Sequence, residues 1–152
     1  MASGCAACGE SPLAARRRYC DDCQRSRALY NTTRSNLASG FNRTGPAPEL
    51  RMDIDEFCRW RKAQEQICHY CGIRESDLPK VRMKSQIQRD VRTMGVDRLD
   101  SAIGYQADNL APCCFVCNQI KGNRFSAEEM RLVAPGIAAV WSGRLQTPEQ
   151  AD

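Results

Sequence analysis

The stretch that decides the fold runs from residue 68 to residue 118, and three short phrases carry its information. They are CHYCG at 68–72, GVDR at 95–98 and CCFVCN at 113–118. The first and the last phrase each contain a C-x-x-C pair, which presents two thiolates to one metal ion from a tight turn. Two such pairs complete a tetrahedral zinc site. The spacing therefore predicts a small structure that is closed by one zinc ion, held by Cys68, Cys71, Cys114 and Cys117.

Two hard oxygen ligands lie inside this closed stretch. Residues 95–97 predict a short strand that ends at Asp97, and residues 118–122 predict a short helix that begins at Asn118. Carboxylate and amide oxygens are ligands that Mg²⁺ accepts, and two protein oxygens leave positions for water and a phosphate. The zinc site would bring the two side chains together. We therefore predict that Asp97 and Asn118 bind a catalytic Mg²⁺ (or Mn²⁺).

Ten cysteines are present, and a second set of C-x-x-C pairs occupies the N-terminal region as Cys5, Cys8, Cys20 and Cys23. The chain has no apolar N-terminal stretch of the export type and no run of membrane-spanning length, so we expect a cytoplasmic protein without membrane contact. In a reducing compartment, paired thiols are more often metal ligands than disulfides. We expect two structural Zn²⁺ per chain; a redox pair or an iron–sulfur cluster is the alternative. Cys58 and Cys113 remain without a role.

The charge distribution indicates a polyanionic partner. Lys and Arg outnumber Asp and Glu by 22 to 18, and the basic residues crowd into 16–18, 25–34 and 80–98. A solvated basic face is the alternative reading of these clusters. Base-reading contacts are expected between residues 82 and 92 and in the loop at 41–53. The candidate nucleic-acid-binding residues are Arg82, Lys84, Arg89, Arg92, Lys121 and Arg124.

The order of segments predicts an α+β fold in four parts: an N-terminal four-cysteine zinc ribbon or knuckle at 1–27, a helical and loop region at 28–66, a zinc-stabilised ββα core at 67–125, and a C-terminal helical segment and tail at 126–152. Helices are predicted at 24–38, ending at Gly40, and at 53–66. Residues 79–96 predict a basic ribbon or strand. A capping box at Ser126 predicts a helix that stops before Pro135, followed by a separate apolar segment at 137–141.

These phrases resemble those of the HNH endonucleases, whose ββα-metal core is braced by four cysteines. The resemblance is strongest to type II restriction enzymes of this family, and it extends to the N-terminal cysteine set, to Phe125-Ser126-Ala127 and to Trp141. It implies that the aspartate and the asparagine bind the catalytic metal, and that the substrate is double-stranded DNA. One active site per small subunit favours a homodimer. A homing or phage nuclease, or a zinc-stabilised DNA-binding module without catalysis, is the alternative.

The chain departs from the usual HNH motif at the residue after the aspartate. A histidine base is expected there, but Arg98 cannot give up its proton at physiological pH. We therefore interpret Arg98 as a clamp on the scissile phosphate. His69, the one histidine, is expected to face solvent or DNA. Tyr30, with Asn31 as a partner, is the candidate for activating water; its alternatives are plain helix packing, or a metal-bound hydroxide without a protein base.

Overall fold

The computed structural model describes residues 4–10, 13–14, 16–40 and 47–147. Part of the predicted DNA-contacting loop (41–46) and the last residues of the tail (148–152) lie outside the described residues. The contacts between residues divide the chain into two units. The first combines Met1–Glu65 with Ala102–Asn109, and the second combines Gln66–Ser101 with Leu110–Asp152.

The first unit is built on two packed helices, α1 (Asp21–Ser39) and α2 (Ile54–Ala63). Helix α1 begins directly after Cys20 and ends at Gly40, which adopts the left-handed conformation with φ of 65°. That conformation has little steric cost for glycine, so the predicted stop is confirmed. Asp53 caps α2 through a capping box with Glu56, and the helix ends at Ala63, three residues before the predicted end.

The second unit holds the remaining elements in the order β1 (Gly95–Arg98), β2 (Leu110–Cys113), α3 (Phe115–Lys121) and α4 (Ala127–Gln146). Strands β1 and β2 pair antiparallel, with Asp97 opposite Ala111 and Arg98 opposite Leu110. Helix α3 packs against β1. Two strands followed by a helix form the predicted ββα arrangement, and the predicted α+β fold is confirmed.

The core of the second unit surrounds the second set of cysteines. Its buried members come from the turns before β1 and from α4, and they include Leu78, Val81, Met83, Met94, Met130 and Trp141. The cysteines that would bind the metal belong to the same buried cluster as the apolar side chains, so metal binding and packing of the core stabilise the same part of the chain. We therefore expect zinc binding and the folding of this unit to be coupled.

The predicted ribbon or strand at 79–96 is wrong over most of its length. Val81 and Met83 are buried while Arg82 and Lys84 are exposed, which imitates the alternation of a strand. The alternation arises from successive turns instead, since Val81 N donates to Asp77 O and Met83 N donates to Leu78 O. Arg82 has φ of 52°, outside the extended region. Within this stretch the only strand is β1, which begins at Gly95, and an isolated antiparallel bridge joins Lys84 to Asp90.

Helix α4 does not stop at Pro135, as the sequence predicts, but continues to Gln146 and absorbs the predicted segment at 137–141. Its capping box is confirmed: Ser126 Oγ accepts from Glu129 N, and the Glu129 carboxylate accepts from Ser126 N. Proline inside a helix loses one backbone hydrogen bond and crowds the preceding turn. Burial of Met130, Ala134 and Trp141 on one side of α4 stabilises the helix across this defect.

None of the helices in the described ranges is long and apolar enough to cross a membrane.

Candidate metal centre

The second cysteine cluster is closed by a knuckle and by the start of a helix. Cys68 and Cys71 lie in a tight turn in which Gly72 N donates to Cys68 O, and Gly72 has φ of 74°. Cys114 is the N-cap of α3, and its Sγ accepts from Cys117 N at 3.5 Å. The four sulfur atoms lie within 4.8 Å of one another, which suits a structural Zn²⁺.

The first cluster is built in the same way. Cys5 and Cys8 form a knuckle that ends at Gly9, with φ of 78°, and Cys20 is the N-cap of α1 with Cys23 in its first turn. The four sulfurs again lie within 4.8 Å of one another. Burial raises the pKa of the Cys5 thiol, but backbone N–H groups that donate to its sulfur, including that of Cys20, outweigh this effect and lower the pKa to about 6. Both predicted cysteine sets are therefore assembled, and each can hold a zinc ion.

The two leftover cysteines lie beside the clusters. Cys58 is fully buried and its Sγ contacts Cys23 O at 3.6 Å. Cys113 is fully buried too, and hydrogen bonding from Cys113 to the Cys68 sulfur is the largest contribution that lowers the pKa of Cys68. Neither residue belongs to the sets whose sulfurs converge. Cys58 thus packs against the backbone of a predicted ligand, Cys23, and Cys113 packs against the sulfur of another, Cys68.

A lysine neutralises part of the first cluster's charge. Lys62 Nζ lies 3.4 Å from Cys8 Sγ and 3.7 Å from Cys20 Sγ, and it forms an ion pair with Glu10. The hydrogen bond to Glu10 is the main cause of the raised pKa of Lys62. Four thiolates and Zn²⁺ carry a net negative charge, so an ammonium group beside two of the sulfurs stabilises the loaded site.

Asp97, the first predicted metal ligand, is 5% exposed and lies on β1 facing the knuckle and α3. Its Oδ2 accepts from the Tyr70 hydroxyl at 2.6 Å. Lys121 Nζ lies 3.2 Å from Oδ1 and 3.1 Å from Oδ2. Burial, followed by the hydrogen bond to Asp97, raises the pKa of Tyr70, so the tyrosine is a firm donor to the carboxylate. The carboxylate is thereby fixed in position.

Asn118, the second predicted ligand, is brought to the same place. Its Nδ2 faces the carbonyl of Val96, the residue before Asp97, at 3.4 Å. An amide that donates through its nitrogen presents its oxygen on the other side. Asn118 and Lys121 lie three residues apart on α3, so both side chains project from the same side of the helix toward β1.

Arg98, the predicted phosphate clamp, lies at the end of β1. One guanidinium nitrogen donates to Ser101 O at 2.6 Å, and the Arg98 carbonyl accepts from Lys121 Nζ at 2.8 Å. Both ends of the residue are thus anchored in the second unit. The side chain is half-buried, next in sequence to Asp97.

The sequence analysis predicts the wrong role for one residue of this centre, Lys121, and no role for another, Tyr70. Lys121 is predicted as a DNA contact, but its side chain is completely buried and its amine is bound to Asp97 and the Arg98 carbonyl. The spacing Asn118-x-x-Lys121 is the signal that would have placed it. Tyr70 stands between two zinc ligands, and nothing in its local sequence indicates that its hydroxyl reaches Asp97.

Tyr30, the candidate for water activation, is buried in the first unit. Its hydroxyl donates to Met52 O at 2.7 Å, and its ring packs against Phe57 with the centroids 5.6 Å apart. Burial raises its pKa above the ordinary value. These contacts are those of a packing residue in the α1–α2 core.

The remaining predicted DNA-contacting side chains are exposed. Lys84 is paired with Asp90, and Arg92 lies 3.7 Å from the same carboxylate. His69 is exposed as expected, with Nε2 lying 3.3 Å from an Arg131 nitrogen. Apart from Lys121, the predicted set lies on the surface of the second unit as Arg82, Lys84, Arg89, Arg92 and Arg124.

A two-stranded antiparallel sheet, a following helix and a four-cysteine cluster, with an aspartate and an asparagine between them, define an HNH-type, ββα-metal fold. The chain is similar to the solved structure of the rare-cutting HNH restriction endonuclease PacI, described for an extraordinary mechanism of DNA perturbation. The TM-score is 0.67 at 27% sequence identity, over 93% of this chain and 97% of PacI. This match supports a PacI-like, HNH-type relationship. No family model matches the chain, and none of the curated proteins matches it.

Proposed function

We propose that this protein is a metal-dependent endonuclease that hydrolyses phosphodiester bonds in double-stranded DNA. One observation carries the proposal: a buried carboxylate, Asp97, is fixed by Tyr70 and Lys121 beside Asn118 at the junction of β1 and α3. A packing role alone would not require a buried acid with three polar neighbours. Similarity to PacI over nearly the whole chain adds support from a protein that is itself a restriction endonuclease.

The residues present fit a hard divalent cation. Each carboxylate oxygen has two lone pairs, so the hydrogen bonds from Tyr70 and Lys121 still leave Asp97 able to ligate a metal. The Asn118 amide supplies a second, neutral oxygen. Mg²⁺ bound there would stabilise the charge that develops on the phosphate and on the leaving oxygen.

The protein side chains have distinct parts in this proposal. Asp97 and Asn118 hold the metal, while Tyr70 orients the carboxylate. Lys121 compensates the charge of Asp97 and holds the end of β1 through the Arg98 carbonyl. Arg98 binds the scissile phosphate, because a guanidinium matches two phosphate oxygens at once.

Water activation is a separate proposal, with Tyr30 as the candidate group. Tyr30 would have to give up its hydrogen bond to Met52 O in order to act. Tyr30→Phe is therefore the direct test: unchanged cleavage would remove Tyr30 from the mechanism, and a loss with unchanged folding would keep it. Arg98 excludes a histidine base at the position where this fold usually has one.

Two further proposals concern the oligomeric state of the protein and the kind of nuclease that it is. We propose a homodimer of the restriction type, because one active site per subunit must act twice to cut both strands. The clusters require reduced cysteines, as a reducing compartment such as the cytoplasm provides. A palindromic cleavage site, mapped by sequencing the cut ends, would support the dimer, and single-strand nicks without pairing would contradict it.

Plasmid cleavage tests the proposal. Zinc-loaded protein with Mg²⁺ or Mn²⁺ should cut supercoiled plasmid, and Asp97→Ala should abolish cutting while zinc content and DNA binding stay nearly unchanged. Because Asp97→Ala leaves Lys121 buried without its partner, the double variant Asp97→Asn with Lys121→Met, which leaves no buried charge unpaired, should be inactive as well. Asp77→Ala is the matched control, since Asp77 also pairs with a lysine, Lys80, in the second unit. Full activity of Asp97→Ala would show that Asp97 does not hold the metal.

A zinc-stabilised DNA-binding module is the second candidate function. Arg98 favours it, because the residue that normally accepts a proton is missing. Binding of duplex DNA by the wild-type protein without nicking at any pH, with both metals supplied, would establish this reading in place of the nuclease.

A further inference from the structure

An apolar side chain stands at the tip of a basic turn in the second unit. We define this feature as the 84–90 turn, closed by the bridge between Lys84 and Asp90. Ile87 is 70% exposed at its tip. Its neighbours on either side are Gln86 and Gln88, both exposed. Exposure alone assigns no role, since Leu132 is 83% exposed; what distinguishes Ile87 is its place at the tip of a turn among polar and basic side chains.

The turn is closed by hydrogen bonds within itself. Ser85 N donates to Arg89 O at 2.8 Å, Gln88 N donates to Ser85 O at 2.9 Å, and Arg89 N donates to Ser85 Oγ at 3.1 Å. Gln88 adopts φ of 59°, which closes the turn tightly. These bonds define the backbone on both sides of Ile87, which lies exposed at the tip of the turn.

The turn is also connected to the proposed metal centre. Gln86 Nε2 donates at 2.9 Å to Gln119 Oε1, on α3 next to Asn118. The tip of the turn is therefore held beside the helix that would carry a metal ligand. A DNA duplex whose phosphate reached that helix would come close to the 84–90 turn.

The surroundings of the tip are basic. Arg82 and Arg89 are exposed and form no ion pair within the part of the chain that the structure describes. At the base of the turn lies a cavity of about 250 Å³, whose charged lining residues are Arg82, Lys84, Asp90 and Arg92. Three cations against one acid suit the phosphate backbone better than an acidic or apolar protein surface.

We propose that Ile87 is a wedge that inserts between stacked base pairs of the DNA substrate. Apolar wedges flanked by basic residues partially unstack a base step and kink the duplex, and the unstacking is offset by additional contacts. Gln86 and Gln88 lie on either side of Ile87, where glutamine amides can read base edges. The inference rests on the proposed function, since it takes duplex DNA as the partner.

Unwinding of plasmid DNA tests the wedge independently of cleavage. Relaxed plasmid is incubated with the zinc-loaded protein and a topoisomerase that needs no metal, without added divalent cation. After removal of protein, the wild type should leave a negative change in linking number. Ile87→Ser should lose most of that change, and Ile87→Leu should retain it.

Leu132→Ser is the control, because Leu132 is 83% exposed on α4, away from the 84–90 turn in sequence. It should unwind DNA like the wild type. With Mg²⁺, cleavage by Ile87→Ser should fall about tenfold, because no inserted side chain stabilises the kinked duplex in the cleavage step. Binding of a mixed-sequence duplex at low salt should stay within about threefold, because arginines provide that affinity.

The outcomes separate this inference from the nuclease proposal. Unwinding that depends on Ile87 without any cleavage would support the wedge and contradict the nuclease. Cleavage by the wild type with equal unwinding by Ile87→Ser would overturn the wedge and leave the nuclease standing. Wild-type binding without a linking-number change would overturn the wedge. Loss of duplex binding by Ile87→Ser would overturn it too, and so would a change of oligomeric state as the only effect of Ile87→Ser.

Discussion

Asp97 and Lys121 form an ion pair that is almost entirely withdrawn from water, with exposures of 5% and 0%. Removing either charge alone leaves the other buried without compensation, which costs several kcal/mol. The Tyr70 hydroxyl adds one charge-assisted hydrogen bond to the carboxylate. The arrangement therefore has a stability role that is separable from its proposed role in catalysis.

Lys121→Met tests this stability role. The variant should unfold at lower denaturant concentration, with a loss of about 3–5 kcal/mol, because Asp97 loses its counter-charge. Chemical denaturation of zinc-loaded protein, followed by circular dichroism, measures the change. Adding Asp97→Asn to Lys121→Met should recover most of the loss. A single variant within about 1 kcal/mol of wild type would contradict a charge-compensating role for the pair.

Tyr70→Phe tests whether the tyrosine positions a metal ligand. Removing a partner that orients a ligand typically lowers metal affinity about 10–100-fold. The Mg²⁺ concentration for half-maximal cleavage should rise accordingly, while zinc content stays at the wild-type value. A merely structural tyrosine would change stability and leave the metal dependence of cleavage where it is.

At the scale of elements, short-range signals are the ones that could be read from the sequence. The capping boxes at Asp53 and Ser126 mark the starts of α2 and α4, because they satisfy backbone donors within one turn. Gly40 marks the end of α1 for an equally local reason. The cysteine spacing predicts that Asp97 and Asn118 lie close together, because a metal ion bound by Cys68, Cys71, Cys114 and Cys117 holds distant parts of the chain side by side.

The predictions that were wrong concern features that depend on tertiary contacts. Pro135 does not end α4, because burial on both sides of it outweighs its local cost. The alternation from Val81 to Lys84 comes from turns that wrap the core. The contact between Tyr70 and Asp97 joins residues that are 27 positions apart, and it follows from closing the zinc knuckle rather than from any local pattern.

Pro135→Ala tests the account of α4. Alanine restores a backbone donor toward Arg131 O and removes the crowding, and residue 135 is exposed, so no packing is lost. We expect stabilisation of about 1–3 kcal/mol, seen as a higher midpoint in thermal unfolding. Glu128→Ala, also exposed on α4, is a control that should move the midpoint much less. A lower midpoint for Pro135→Ala would show that the proline fits its site without strain.

At the scale of the whole molecule, the same construction appears twice: a knuckle ending in glycine faces a helix capped by cysteine, once in each unit. Each unit has a modest apolar core around its cluster. Small cores of this size usually require a metal or disulfides, so the two zinc ions are expected to be conditions of folding.

The two tryptophans report on the two units separately. Trp60 lies on α2 in the first unit, and Trp141 is 7% exposed in the core of the second. In the Trp60→Phe variant, chelation of zinc should shift the Trp141 emission to the red as the second core opens. Cys71→Ser should produce the same shift and bind one zinc ion instead of two, whereas Cys8→Ser should lose one zinc ion without the shift. An unshifted Trp141 after complete zinc removal would contradict coupling of metal and fold.

The central claim is that Asp97 and Asn118 bind a divalent cation, and locating that cation tests it most directly. Crystals of the zinc-loaded protein soaked in Mn²⁺ are measured at an energy where manganese scatters anomalously. We predict one manganese peak per chain, separate from the two zinc peaks and within ligand distance, about 2.0–2.3 Å, of an Asp97 carboxylate oxygen and the Asn118 amide oxygen. An ordered Asp97–Lys121 pair with no manganese peak beside it, at saturating Mn²⁺, would contradict the account.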